Sequence, residues 1–306
     1  MKTLKTIMLS AGTLSLLVTT AAVMANERSI DQTLDVNGEG KVRLKIVDGD
    51  VEFKTWKEQQ VRVVGTLGDD DKELVFYNDD NDTIIKIETD KGYYERSHRS
   101  WSDDETALQV YMPANMHLFA QSTSGNFDIE GIKANLKAKS VSGDIDISNS
   151  EGSIAAYTSS GDIELENCKG EVHIESVSGD IEASVDSQRF EVSTISGDLT
   201  ARLGEVERVE VDTVSGDMEL ELKLMKDGSI QGSTVSGDIE LFFDQKTISA
   251  HFDLHTGPGG DIDNNLTDDK PKESWVKSES IEFKSGKGTG VVELETVSGS
   301  LEVSKK

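Results

Sequence analysis

The sequence predicts an all-β chain wound as a parallel β-solenoid, a β-helix-like stack of 18–21-residue repeats with irregular capping strands. Three observations carry this expectation. The tripeptide Ser-Gly-Asp, or a close variant, recurs with its glycine at Gly125, Gly143, Gly161, Gly179, Gly197, Gly216, Gly237 and Gly299. Apolar residues occupy every second position on both sides of each glycine, the period of strands with one face inward. The chain holds 27 Gly and only 3 Pro, with many Ser, Thr, Val and Ile, a composition that suits strands and turns.

The first 25 residues read as a signal peptide. Lys2 and Lys5 form a positive start, Ile7 to Val18 is apolar, and Ala22-Val23-Met24-Ala25 offers small residues for cleavage. The apolar stretch is too short and too rich in Ser, Thr and Gly to read as a membrane span. The expectation is a periplasmic, secreted or cell-surface protein with no direct insertion in the membrane. Residues 26–306 then form a single β-solenoid domain: irregular strands over 26–117, regular repeats over 118–244, and C-terminal coils with a long loop over 245–306.

Within 26–117, Val42, Leu44, Ile46, Gly49, Asp50, Val51 and Phe53 reproduce the spacing of one coil. In the regular region the first four intervals between glycines are 18 residues and the next two 19 and 21. Alignment on the glycine gives columns. Seven before it stand Leu118, Leu136, Ile154, Val172, Phe190, Val209, Ile230 and Val292; five before it, Ala120, Ala138, Ala156, Ile174, Val192, Val211, Gly232 and Leu294. Three before it every residue is Ser or Thr, from Ser122 to Thr296. Two after it stand Phe127, Ile145, Ile163, Ile181, Leu199, Met218, Ile239 and Leu301, and a further apolar column follows at four after. Each unit therefore supplies two short strands around a glycine corner. It can bury its apolar face only by stacking, with coils about 4.8 Å apart. Two stretches break the rhythm, 91–106 and 257–275, and both read as exposed loops that could carry specific function.

The segments "VDGDVEFKTW", "LQVYMPANMHLFAQSTSGNFDIEGI", "SVSGDIDI", "TSSGDIEL", "SVSGDIEA", "TVSGDIEL" and "VVELETVSGSLEV" resemble the bacterial DUF4097 family. Its members are described as adhesins with β-strand repeats and are similar to the head GIN-domain proteins. The resemblance covers nearly the whole mature chain. It implies a solenoid-like β fold in an envelope protein and brings no catalytic residues with it.

Net charge narrows the function. The full chain carries −27; loss of Lys2 and Lys5 leaves 29 basic against 58 acidic residues, near −29. Nucleic acid and anionic membranes need basic surface, so neither is an expected partner. A lone Cys168 cannot form an internal disulfide and reads as a turn residue.

Carboxylates form two columns: Asp144, Asp162, Asp180, Asp198, Asp217 and Asp238 one after the glycine, and Asp128, Asp146, Glu164, Glu182, Glu219, Glu240 and Glu302 three after it. The first column is expected to accept backbone hydrogen bonds near the corner, as Asn126 and Ser300 could in the same place. The second reads as a solvated acidic face, with at most weak Ca²⁺ association. His251, Asp253 and His255 alternate at a spacing too long for strand neighbours to meet at one metal. His98 with Asp103, Asp104 and Glu105 reads as a polar loop. No catalytic, cofactor-binding or metal-binding residue is assigned, and no cofactor is expected.

The expected function is non-catalytic: an acidic β-solenoid that binds or scaffolds an unidentified protein or glycan of the cell envelope. The alternative is a carbohydrate-active solenoid enzyme of the envelope with a site beside 91–106 or 257–275. Lys/Arg columns are expected to be absent, which weighs against an acidic glycan as its substrate.

Overall fold

The structure is a computed structural model that describes residues 29–68, 71–89 and 105–306. The predicted signal peptide, His98, Asp103 and Asp104, and nearly all of the stretch 91–106 lie outside the described residues. No helix occurs among the described residues, and strands fill most of them. Neighbouring coils pair in parallel and in register: Leu118, Leu136, Ile154, Val172, Phe190 and Val209 align on one side of the corner. Phe127, Ile145, Ile163, Ile181, Leu199, Met218 and Ile239 align on the other. The predicted parallel solenoid is the observed fold.

Every residue in these apolar columns is buried, and together they form one continuous core along the stack. The alternation of the sequence is thus the alternation of inside and outside. Phenylalanines gather where the regular coils meet their ends. Phe53 and Phe127 pack at 6.3 Å at one end, and Phe243, Phe252 and Phe283 form a series at 5.9 and 4.6 Å at the other.

The corner glycines have a single physical reason. A Cβ on Gly179 would lie 2.1 Å from the carbonyl oxygen of Gly161, and Gly179 has φ +128°. The same collision recurs up the stack, from Gly125 against Gly49 to Gly299 against Gly237. Backbones at this corner approach too closely for any side chain.

Chain order and stacking order differ at both ends. The strand Lys41–Lys45 pairs with His117–Gln121 on one side and with Asp82–Thr89 on the other. The coil of Gly49 is therefore held between the regular stack and strands that follow it in sequence. Likewise Gly290–Ser298 lies between Met218–Ser236 and Ala250–Thr256, so the last coil in sequence is not the outermost. Among the described residues antiparallel pairs occur only in these end regions, as in Ser29–Asp35 with Gln60–Thr66 and Ala250–Thr256 with Glu279–Ser285. Antiparallel additions end the parallel stack, whose open edges would otherwise template further pairing.

The stretch 257–275 departs from the expected loop. Gly260-Asp261-Ile262 is a further corner: a Cβ on Gly260 would meet Gly299 O at 2.0 Å, and Ile262 pairs with Leu301 in the core. Thr256 Oγ1 donates to Gly260 O at 3.1 Å, as Ser122 Oγ does to Gly125 O at 2.8 Å. One extra residue between Thr256 and Gly260, with Gly259 in the place of Ser, hid the motif.

Candidate functional site

The aspartates one after the glycine are exposed, yet they are part of the architecture. The Asp162 N–H donates to Asp144 Oδ1 (2.9 Å), Asp180 to Asp162 (2.8 Å), Asp198 to Asp180 (2.9 Å), Asp217 to Asp198 (2.9 Å) and Asp238 to Asp217 (2.8 Å). Asn126 Oδ1 receives the Asp144 N–H at 2.9 Å, and the Ser300 N–H donates to Asp238 Oδ1 at 2.7 Å. The acceptor role read from the sequence is present, and it reaches across coils, tying each corner to the next. A carboxylate spent on a backbone donor in this way is charge-assisted structure.

The buried Ser/Thr column is satisfied unevenly. Ser140 Oγ meets Ser122 Oγ at 2.9 Å and Gly125 O at 3.2 Å. The hydroxyls of Ser176, Thr213 and Thr234 are buried without a hydrogen-bond partner among the described residues. Cys168 is also inside, where its thiol contacts Ile147 O and Glu166 O at 3.4 Å each. Burial pushes that thiol above its ordinary range, so it is a small core residue and not an exposed turn residue.

The strands after the corner present the second acidic column outward. Register makes it continuous: Glu52, Asp128, Asp146, Glu164, Glu182, Thr200, Glu219, Glu240, Glu302 and Asp263. Lys54 pairs with Glu52, and Arg202 stands 3.7 Å from Glu182. Among the described residues Asp146 and Glu164 form no ion pair, and Asp128 is offset only in part by the ammonium of Lys54, which pairs with Glu52. Burial, reinforced by Glu164, Asp128, Asp144 and Asp162, holds the Asp146 carboxyl above its ordinary range. Burial and neighbouring carboxylates do the same to Asp128 and Glu240. This face stores like-charge repulsion along its length.

The strands before the corner present a face of mixed sign, and here the sequence reading needs correction. Arg43, Phe119 and Lys137 stand side by side on adjacent coils, as do Lys45, Gln121, Lys139 and Tyr157. Lys/Arg columns therefore exist. They escaped notice because Lys41–Lys45 and Leu136–Lys139 are far apart in sequence, and only the stacking sets them on either side of His117–Gln121. Beyond Tyr157 the face turns acidic. His173 contacts Glu175 at 2.9 Å and Glu191 at 3.3 Å, and Glu210, Asp212, Glu293 and Glu295 continue the two columns.

At the rim of this face, two residues before the glycines, Val141, Val177, Ile195, Val214, Val235 and Val297 form a half-exposed apolar column. Ser159 interrupts it. Beside that gap lies a groove of about 290 Å³ lined by Lys139, Tyr157, Ser159, Glu175, Val177 and Ser193 among others. The apolar column was visible in the aligned sequence as a run of β-branched residues in the corner, and only the structure gives its exposure.

In the His251–His255 segment the two rings find different partners. His251 Nε2 lies 3.2 Å from Glu282 and His255 Nε2 2.8 Å from Asp253, each ring spent on a separate carboxylate. Among the described residues no cluster of three His, Cys, Asp or Glu could hold a metal ion. Nor is any described helix long and apolar enough to cross a membrane.

These features define a parallel β-solenoid with two broad charged faces. The chain belongs to the family described as Toastrack DUF4097, which matches residues 74–234, more than half of its 306 residues. No curated protein matches it. Solved structures similar to it include a "putative lipid binding protein" from Parabacteroides distasonis, 13% identical, covering 91% of this chain and 98% of that one at a TM-score of 0.48. A "putative adhesin" from Bacteroides fragilis is 12% identical, covering 92% and 98% at a TM-score of 0.42. A "putative cell adhesion protein" from Clostridium sporogenes is 10% identical, covering 91% and 100% at a TM-score of 0.22.

Proposed function

We propose that this protein is an exported, non-catalytic binding module of the cell envelope, a rigid rod that offers its two faces to a partner. One observation carries the reading: side chains on both faces stand in register from coil to coil, so charge repeats at the spacing of the stack over several coils. Such a surface suits an extended partner met at many weak points. The corner carboxylates, engaged with backbone donors, are poorly placed to act as acid and base. Export rests on the leader-like first 25 residues. Capture from envelope extracts, paired with an assay for reducing sugars released from envelope glycans, tests the proposal. Stoichiometric capture without turnover is expected. Catalytic release of reducing ends by the purified chain would replace this reading with that of a carbohydrate-active enzyme.

A further inference from the structure

The face before the corner holds an array of cations that a strongly acidic protein has left unneutralised. Arg43 is paired with Asp82 at 2.7 Å, and Lys86 with Glu88 at 3.1 Å. Lys41, Lys45, Lys137 and Lys139, by contrast, have no carboxylate partner among the described residues. Aromatic rings hold three of these four instead. Lys137 Nζ lies 4.4 Å and Lys139 Nζ 5.6 Å from the centre of the Tyr157 ring, and Lys41 Nζ and the Arg43 guanidinium lie 5.9 and 5.0 Å from that of Phe119. A ring orders a cation through its quadrupole without cancelling the charge, which a carboxylate would do. The result is a pre-ordered positive patch over three adjacent coils, about 10 Å along the axis.

Its borders select the ligand. Asp82 and Glu88 flank it on one side, and Glu175 and Glu191 on the other. A bilayer or a duplex nucleic acid would set its phosphates against these carboxylates, whereas a single narrow chain can confine its charge to the patch. The groove beside Tyr157 adjoins Lys139 and offers the hydroxyls of Tyr157, Ser159 and Ser193, which make no hydrogen bond within the described chain. Val177 and Ile195 add an apolar wall. Donors, acceptors and a small apolar surface beside fixed cations suit a sugar ring next to a carboxylated one.

We infer that this patch binds a linear acidic oligosaccharide, with a sugar carboxylate over Lys137 and Lys139 and the adjoining sugar in the groove. The inference rests on the reading of the chain as a binding module and names the class of its partner. Titration calorimetry of the mature chain with a short oligomer in which a uronate alternates with a neutral sugar tests it, because Glu175 also lines the groove and would repel a second carboxylate there. The methyl-esterified oligomer is the uncharged match. Binding that weakens with salt and vanishes for the ester is expected. The outward K137E/K139E variant, or K137Q/K139Q should charge reversal disturb folding, should weaken it roughly tenfold or more, and R202E on the other face should not. Absence of binding, equal binding by the ester, equal binding by the folded double variant, or tighter lysine-dependent binding of anionic vesicles or duplex DNA would each overturn the inference. Release of reducing ends with lysine-dependent binding intact would overturn the non-catalytic reading and leave the patch standing.

Discussion

Gly179→Ala places a methyl group where the stack has no room for it. The added carbon would sit 2.1 Å from the oxygen and 2.7 Å from the carbon of the Gly161 carbonyl, at a φ of +128°. Both clashing atoms are backbone, so the coils must part locally. Three bonds span that junction: Gly161 N–H to Ser178 O (3.2 Å), Ile163 N–H to Asp180 O (3.0 Å) and Asp180 N–H to Asp162 Oδ1 (2.8 Å). Weakening two of them costs about 1 kcal/mol each, and a strained backbone adds about 1–3 kcal/mol. The sum is roughly 3–5 kcal/mol, or about 5–9 °C in melting temperature for a domain of this size. Gly232→Ala is the matched control. Its methyl group would meet only side-chain ends, Leu294 Cδ2 at 3.0 Å and Ile239 Cδ1 at 4.0 Å, and the corresponding positions in other coils include Ala120, Ala138 and Ala156. Loss of unfolded-state freedom offsets that contact, so the change should stay within about 1 kcal/mol. Thermal unfolding followed by circular dichroism, with hydrogen exchange at Gly161 to Ile163, provides the readout. A Gly179→Ala protein that melts with the wild type would refute the close-approach explanation of the corner.

Three further outcomes follow from the ladders. Ile181→Asp, in a side chain 2% exposed between Ile163 and Leu199, should cost more than about 4 kcal/mol and abolish cooperative melting of neighbouring coils, read by circular dichroism. Asp146→Asn should raise stability at neutral pH by about 0.2–1 kcal/mol in urea unfolding, by removing one member of a like-charged series. Asp128, Asp146 and Glu240 have raised folded-state pKa values, so the folded chain binds protons more readily than the unfolded chain. Their contribution should therefore grow as pH falls through the raised folded range, be complete below the ordinary carboxylate range and be lost as pH rises, as a melting series from neutral to mildly acidic pH would reveal; Asp146→Asn should flatten that trend.

The core and its register were legible because each repeat states them again. A Val, Ile or Leu every second residue on both sides of a glycine fixes which side chains point inward, and stacking is the only way to bury them. Order at the ends was not legible. Nothing in Lys41–Lys45 says that it joins His117–Gln121 and leaves Asp82–Thr89 outside, because alternation specifies a face and not a neighbour. The lysine and aromatic patch inherits that blindness, since half of it comes from the inserted coil. The corner at Gly260 was obscured for a simpler reason: Gly259 replaces the expected Ser, and the chain makes a wider turn from Thr256. Cys168 looked like a turn residue from its Asn and Lys-Gly neighbours, yet its place seven after the glycine is an inward one, shared with Ile132 and Ser150.

The most direct test of the account separates the corner from the faces. It compares a chain carrying D162N, D180N and D198N together with the wild type, both in melting and in capture of its envelope ligand. Asparagine keeps the Oδ1 acceptor, as Asn126 does naturally, so the triple variant should melt within a few degrees of the wild type, about 1–2 kcal/mol at most, and capture the same ligand. A triple variant that folds normally but captures nothing would place function in the Ser-Gly-Asp corner and contradict the account.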